Sequence, residues 1–580
     1  MRERTNSIAQ SPLPKANIQD VGDEEEEKVQ SLPLAIPRPP INRHVVCERY
    51  PKGKASVLVF MLNFIVNYAY GVAITGILDI FETQRDAVEK YSSSSPLERH
   101  SLHFVKLLFQ YCISQIFYPL AGFLADVYTG RWRMIYLSIL FLLTGYVIIV
   151  ASFTLEGQSS IHLSTLVRYT INGIAYLFLS IGGGAFEATI IPLGVDQLQG
   201  ASSAEISSYF HFFYFSRNLG MASGIIVSCL LSYVNIKMSD IEGGSLQLYN
   251  AFQPLVTTAV LSVGLILIIC FHHWFFKNTL WENPVKLIVR ILCYAATVKR
   301  HLPVRNRAFR YGEERKRRIE LAKITYDGEF PDDKVEEVKT FCGIVLILLS
   351  LAPAMFSVNA LDVLISQETN QTLMKLYPNP YFAELYPHIY WGVNTIAITF
   401  ILPVVNFLVI PCFPKLTIRA RIGIGLVLYC IGSVVVVIIH AVPLAINSQH
   451  STVSGAQIGC LLIPMLIFAL GEAITAVSVL EFIYAQSPES MKGLLTGLFY
   501  FFLGVASIPS AALYYLYKTS LENKTLLPFY IALTIITVVG TVFYMVVGAL
   551  YRNRQRDDGN SLQRRLIIEN QLHSTVTAED

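Results

Sequence analysis

Glu472 and Glu481 stand inside an apolar stretch from Leu461 to Tyr484 that is long enough to cross a bilayer. A carboxylate at bilayer depth costs roughly 2.5 kcal/mol or more, so each must face a polar interior, find a partner or hold a proton. The two lie about 180° apart around a helix and roughly 13 Å apart along it, so they cannot line one cavity together. One is expected to line a pathway, and the other to pack or cap. For Glu481 that means a helix end or a contact with the Gln486 to Lys492 turn. Arg217 poses the same problem about ten residues into another apolar stretch, too deep to snorkel easily, with His211, Tyr214 and Asn218 on its face at helical spacing.

The elements that must hold these groups are membrane spans. Of 580 residues 53% are hydrophobic and 15% charged, with mean hydropathy +0.47, which reads as a polytopic membrane protein. Apolar spans are expected at about 55–80, 103–125, 132–153, 163–186, 208–234 and 251–276, and again at about 340–365, 386–412, 420–446, 456–485, 491–516 and 527–550. The expectation is therefore an all-α protein of about twelve helices in two six-helix bundles, 55–276 and 340–551. Residues 1–54, with the acidic run Asp23 to Glu27, read as a disordered tail. Residues 277–339 read as a basic amphipathic linker and 552–580 as a second tail. No cleavable signal peptide precedes the first span. The net charge of +3 says little about partners. The nine cysteines have neither metal-ligand nor disulfide spacing and read as buried packing residues, among them Cys112, Cys229, Cys270, Cys430 and Cys460.

Positive charge collects at Arg43 to Lys54, Arg131 to Arg133, the linker, Lys415 to Arg421, Lys492 and Arg552 to Arg556, all on one expected side. That side should be cytosolic, with both termini inside. The sequons at Asn370 and Asn523 are expected in loops on the opposite side, as N-glycosylation sites.

Two six-helix halves around a cytosolic linker are the layout of major facilitator transporters, which carry a site at the bilayer midplane. Gly122 to Arg133, with Asp126, Gly130 and Arg131 at a tight turn, resembles the facilitator loop signature, in which glycine permits the turn and acid and base pair across helix ends. A topogenic basic loop would use the same arginines. A closer likeness rests on four places. Phe212-Phe213-Tyr214-Phe215-Ser216-Arg217-Asn218-Leu219-Gly220 is similar to a Phe-Tyr-x-x-Ile-Asn-x-Gly signature; Gly182 to Gly184 precede a Gly194-Val195-Asp196-Gln197 helix end. Asn394, Pro403, Asn406, Pro411 and Arg421 to Gly425 follow in order, and Gly471-Glu472 precedes Leu480-Glu481-Phe482-x-Tyr484-x-Gln486-x-Pro488-x-x-Met491-Lys492. Together they resemble the proton-coupled oligopeptide transporter family, which includes peptide/histidine carriers.

The resemblance implies alternating access to a central cavity and transport of small peptides driven by a proton gradient. It implies that Glu472 meets a substrate amino terminus and that Asn218, Asn394 and Tyr70 make polar contacts. Phe499 falls at a tryptophan position of the family, Tyr214 lies within its fifth-span signature, and Asp362 matches a seventh-span acid whose neighbouring Trp and Gln-Gln are missing. The departures weigh as much. The family's first-span acids fall on Leu62 and Ile65, its arginine on Val66, a second basic position on Ala73, and its fourth-span lysine on Glu187.

Two arrangements of Glu187 remain open. If it shares a cavity with Glu472, two like charges cannot both ionise cheaply, one proton is shared, and the acidic cavity favours a cationic or amine-bearing ligand. If it pairs with Arg217 instead, the inversion is a closed ion pair within the wall. His388 and His440 are expected to be solvated interface residues near outer helix ends, and Gly182 to Gly184 to permit close packing. The linker suits anionic lipid headgroups as well as topology control. No phosphate loop, metal set or catalytic nucleophile is present, so neither an enzyme nor a direct ATP-driven pump is expected, and no cofactor or nucleic-acid partner. The expected function is secondary transport of small peptides, amino acids or related amines, with protons as coupling partners, in the plasma or an endolysosomal membrane. A non-transporting receptor or scaffold, or an uncoupled facilitator for cationic solutes, is the alternative, since the first-span acids are gone while Glu472, Asn218, Asn394 and Tyr70 remain.

Overall fold

In a chain whose polar backbone must be satisfied without water, helices are the only open-ended solution, and nearly every described segment is one. The computed structural model describes residues 52–73, 114–157, 165–198, 201–242, 252–275, 280–297, 318–326, 328–376, 386–413, 416–446, 455–520 and 527–552. The long helices are α1 (Lys52–Val72), α2 (Ser114–Leu124), α3 (Arg131–Gly157), α4 (Thr165–Asp196), α5 (Ser203–Glu242) and α6 (Phe252–Phe271). After the short α7 (Pro284–Thr297) come α8 (Asp332–Leu376), α9 (Tyr386–Val404), α10 (Ile418–Ile446), α11 (Gly455–Gln486), α12 (Lys492–Ser520) and α13 (Leu527–Leu550). Among the described residues nine helices are long and apolar enough to cross a membrane, and with α2, α5 and α12 they make up the all-α major facilitator fold. The protein is a multi-pass integral membrane protein.

Packing within the membrane depends on small residues and on polar side chains tied to neighbouring backbones, because lipid removes the ordinary hydrophobic drive between helices. A Cβ at Gly220 or Gly224 of α5 would overlap the carbonyls of Phe64 or Tyr68, so these glycines set the approach of α1. Asn63 of α1 donates to the Phe213 carbonyl at 2.9 Å and to the Ser216 hydroxyl at 2.8 Å. In the other half Ser357 of α8 meets Thr537 of α13 at 2.7 Å. Exposed Val538, Val539, Val542 and Phe543 on α13 form the kind of apolar outer surface that lipid covers.

Two π turns follow helices directly, Ala125–Thr129 after α2 and Val405–Val409 after α9. Gly130 follows the first of them with φ +80°, a conformation glycine adopts without strain. Between α6 and α8, helix α7 buries Ile288, Ile291 and Ala295 and exposes Val285 and Val289.

Candidate functional site

A cavity of about 360 Å³ opens between α2 and α5 on one side and α8 to α12 on the other, within the size range of small-ligand pockets. Its ionisable lining is Arg217 from α5, Asp362 from α8 and Glu472 from α11. Asn394 of α9 also lines it, and its buried side-chain oxygen has no hydrogen-bond partner. A second, larger depression of about 530 Å³ lies between α10 and α13, but Arg419, its one charged lining residue, is used up on the carbonyls of Gly548 and Tyr551.

Tyr214 joins the two charged sides of the central cavity. Its hydroxyl donates to the Glu472 carboxylate at 2.7 Å, and Arg217 lies over its ring at 5.8 Å. Arg217 also donates to the Tyr500 hydroxyl at 3.0 Å and lies 5.5 Å from that ring, which stacks on Tyr118 at 5.3 Å. Behind it the Glu187 carboxylate, 2% exposed, sits 3.5 Å from Arg217. Glu187 is thus set against Arg217 rather than against Glu472, the wall-pair arrangement of the two left open by the sequence. Glu472 and Asp362 remain as the acids facing the cavity.

The other residues singled out in the sequence are placed unequally. Phe499 lines the cavity and packs on Tyr500. Asn218 turns back on its own helix, donating to the Tyr214 carbonyl at 2.8 Å, and does not line the cavity. Tyr70 is likewise withdrawn from the lining; its hydroxyl lies against Gly183, where a Cβ would overlap it. Leu62 and Val66 are fully buried in the apolar core and Ile65 nearly so, hence the positions of the missing coupling residues are filled by dry packing. Tyr118, Tyr429 and Tyr500 belong to the cavity although the sequence did not single them out. Aromatic residues in apolar spans give no signal that separates lining from packing.

A second cluster closes one end of the bundle. Asp126 accepts from Arg131 at 3.0 and 2.8 Å and from the backbone N–H groups of Gly493 and Leu494 at 2.8 and 3.2 Å. The α12 N-terminus, with its unpaired amides and positive dipole end, is therefore capped by a carboxylate from α2's extension. Arg131 also pairs with Asp196 at the end of α4, and Lys492 stands 3.7 Å from that same carboxylate. Gly130 sits at the turn between the acid and the base.

Several expectations need correction. Glu481 does not cap the Gln486 to Lys492 turn: it binds Arg421 at 2.9 Å and Ser207 at 3.1 Å, because α5 and α10 bring those groups to its level. His440 is not a solvated interface residue but is bonded to Glu368 at 2.8 Å; the His388 side chain lies outside the described residues. Asn370 lies within α8 rather than in a loop, since that helix continues to Leu376, and Asn523 falls outside the described residues. Cys270 and Cys460 are exposed rather than buried, as spans present part of their circumference to lipid.

Comparison with known proteins agrees with this architecture. The family model of the POT family matches residues 132–528. The Arabidopsis thaliana proteins NRT1/PTR FAMILY 2.9 and 5.6 are 22% and 21% identical, the first over 68% of this chain and 74% of its own length, the second over 70% and 74%. Among solved structures, an auto-inhibited POT family peptide transporter aligns over 87% of this chain and 98% of its own with a TM-score of 0.54 at 14% identity. A POT family transporter in complex with 5-aminolevulinic acid aligns over 86% and 96% with a TM-score of 0.53 at 14% identity.

Proposed function

The chain belongs to the POT family, and from that premise we propose that it carries amine-bearing solutes, amino acids or short peptides, across a membrane by alternating access. Family and fold make it a secondary transporter of peptides or other small solutes, and not an enzyme. The finer reading rests on one observation: Glu472 and Asp362 face the same cavity, while the one arginine in the lining is held by Glu187 and Tyr500. Such a chamber attracts a positive head group, and its carboxylates are the groups able to exchange a proton as solute binds. Asn394 and Tyr214 supply polar contacts for the rest of the solute. In this reading the basic end, where Arg131, Arg419, Arg421 and Lys492 collect, faces the cytosol, with halves 55–276 and 340–551 rocking about 277–339.

Burial of Leu62, Ile65 and Val66 favours a second reading in which transport is an uncoupled facilitator's. The test is uptake of labelled dipeptides, histidine and simple amine cations into liposomes holding the purified protein, with and without an inward proton gradient. Amine uptake that Glu472→Gln lowers at least tenfold is the expected result; uptake unaffected by the gradient selects the facilitator. Silence across the panel, or Glu472→Gln transporting as well as the wild type, defeats the proposal.

A further inference from the structure

Outside the central cavity, toward the end of the bundle opposite Asp126, three helices meet at an ionisable cluster. Glu368 of α8 lies 2.8 Å from Nε2 of His440 on α10, and the same carboxylate oxygen accepts from the Tyr530 hydroxyl of α13 at 2.8 Å. The His440 and Tyr530 rings stand 4.3 Å apart. Tyr530 is fully buried, whereas the His440 and Glu368 side chains keep 13% and 11% of their surface, enough for contact with water.

The hydrogen-bond geometry fixes the number of protons. Nδ1 of His440 is 2.8 Å from the Val436 carbonyl, which can only accept, so Nδ1 carries a hydrogen. Nε2 and the Glu368 carboxylate then need one further hydrogen between them, on the ring or on the acid. With it, the pair is neutral overall and every contact is satisfied. Without it, a ring lone pair faces a carboxylate at hydrogen-bond distance and the site carries one negative charge in a mostly apolar setting, where an unmatched acceptor is costly. Glu368 and Tyr530 are the titratable groups that face His440 from α8 and α13. The adjoining stretch of α11, 462–471, has no titratable side chain.

We propose that Glu368, His440 and Tyr530 form a proton-binding site, separate from the solute cavity, that clamps α8 to α10 and α13 while a proton is bound. The released proton goes to water at that end of the bundle, and the site passes from neutral to a charge of minus one. Six residues earlier, roughly 9 Å along the same helix, Asp362 lines the cavity, so opening the clamp loosens a helix that shapes the solute site. A proton bound at one end of α8 is thereby linked to the cavity wall without entering it.

An isostere separates proton binding from plain structure. In Glu368→Gln the amide nitrogen in that oxygen's place can donate one hydrogen to Nε2 of a neutral ring and the other to the Tyr530 hydroxyl oxygen, holding the three groups together with no proton to lose. Thermal unfolding of the purified full chain in detergent is followed from pH 5.5 to 8.5. The wild type is expected to lose roughly 2 °C as pH rises relative to Glu368→Gln, which stays at its acid-side value, while His440→Leu sits at or below the alkaline-side value at every pH. Parallel wild-type and Glu368→Gln curves, or equal pH-independent losses in both variants, overturn the proposal. If His440→Leu does not fold, the wild-type and Glu368→Gln pair alone decides. No solute enters the measurement, so its failure leaves the proposed transport untouched.

Discussion

Two arginines within the helical bundle serve opposite ends. Arg131 is 5% exposed and bonded on both sides by Asp126 and Asp196, and Asp126 is further satisfied by two α12 amides. Arg217 is 22% exposed, meets Glu187 only at 3.5 Å and divides its remaining contacts among tyrosines at a cavity wall. A charge whose partners are all supplied by backbone and short ion pairs holds helices in one arrangement. One shared loosely with hydroxyl and ring can rearrange when a solute arrives.

The contrast is broken most severely at the tight cluster. Arg131→Ala removes the guanidinium shared by two buried carboxylates, with the α12 amides on Asp126 and Lys492 near Asp196 left in place, and a loss of about 3 kcal/mol in stability is expected, read as thermal unfolding of the detergent-solubilised chain. Arg217→Met strands one buried acid, Glu187, but removes a longer contact from a guanidinium that is itself partly exposed, so about 2 kcal/mol is expected. The double variant Glu187→Leu/Arg217→Met should recover most of that, and a double-mutant cycle with no coupling would remove the pair from the account. Gly493→Ala places a Cβ 2.8 Å from the Gly122 carbonyl and 2.9 Å from the Asp126 carboxylate. That should push α12 off its cap at a cost of about 1–2 kcal/mol, visible in the same unfolding assay.

Smaller effects sharpen the comparison. Tyr214→Phe removes one donor to Glu472, worth about 1 kcal/mol, so uptake of an amine solute should need roughly fivefold more solute for half saturation while unfolding hardly moves. The weakest case is the partly buried cluster before and within the start of α8, where Lys323 binds Glu320 at 2.7 Å and Lys339 also reaches Glu320. Burial pushes the Glu320 carboxyl up, but hydrogen bonds from both lysines outweigh it and hold the group below its ordinary 4.5. Its contribution is therefore present above pH 4.5 and fades as pH falls through the lowered value. Glu320→Gln should cost well under about 1 kcal/mol at neutral pH and flatten only the acid end of the profile.

Much of this was open to reading in the chain itself. The long apolar runs fix helices because lipid permits no other open backbone, and ionisable residues inside them must be matched, so Glu472 and Arg217 stand out in the sequence, while Asp126 stands out through the loop signature it shares with Gly130 and Arg131. Residue order does not say which partner matches each one. In the sequence Glu187 has two possible mates, Asn218 reads as lining yet spends its amide on its own helix, and His440 reads as an interface residue although α8 and α13 bring Glu368 and Tyr530 to it. Spacing along a helix fixes only the face a side chain occupies. What that face meets depends on residues from tens to hundreds of positions away, as with Glu187 and Arg217 or Tyr214 and Glu472, and only the packing of the helices brings them within bonding distance.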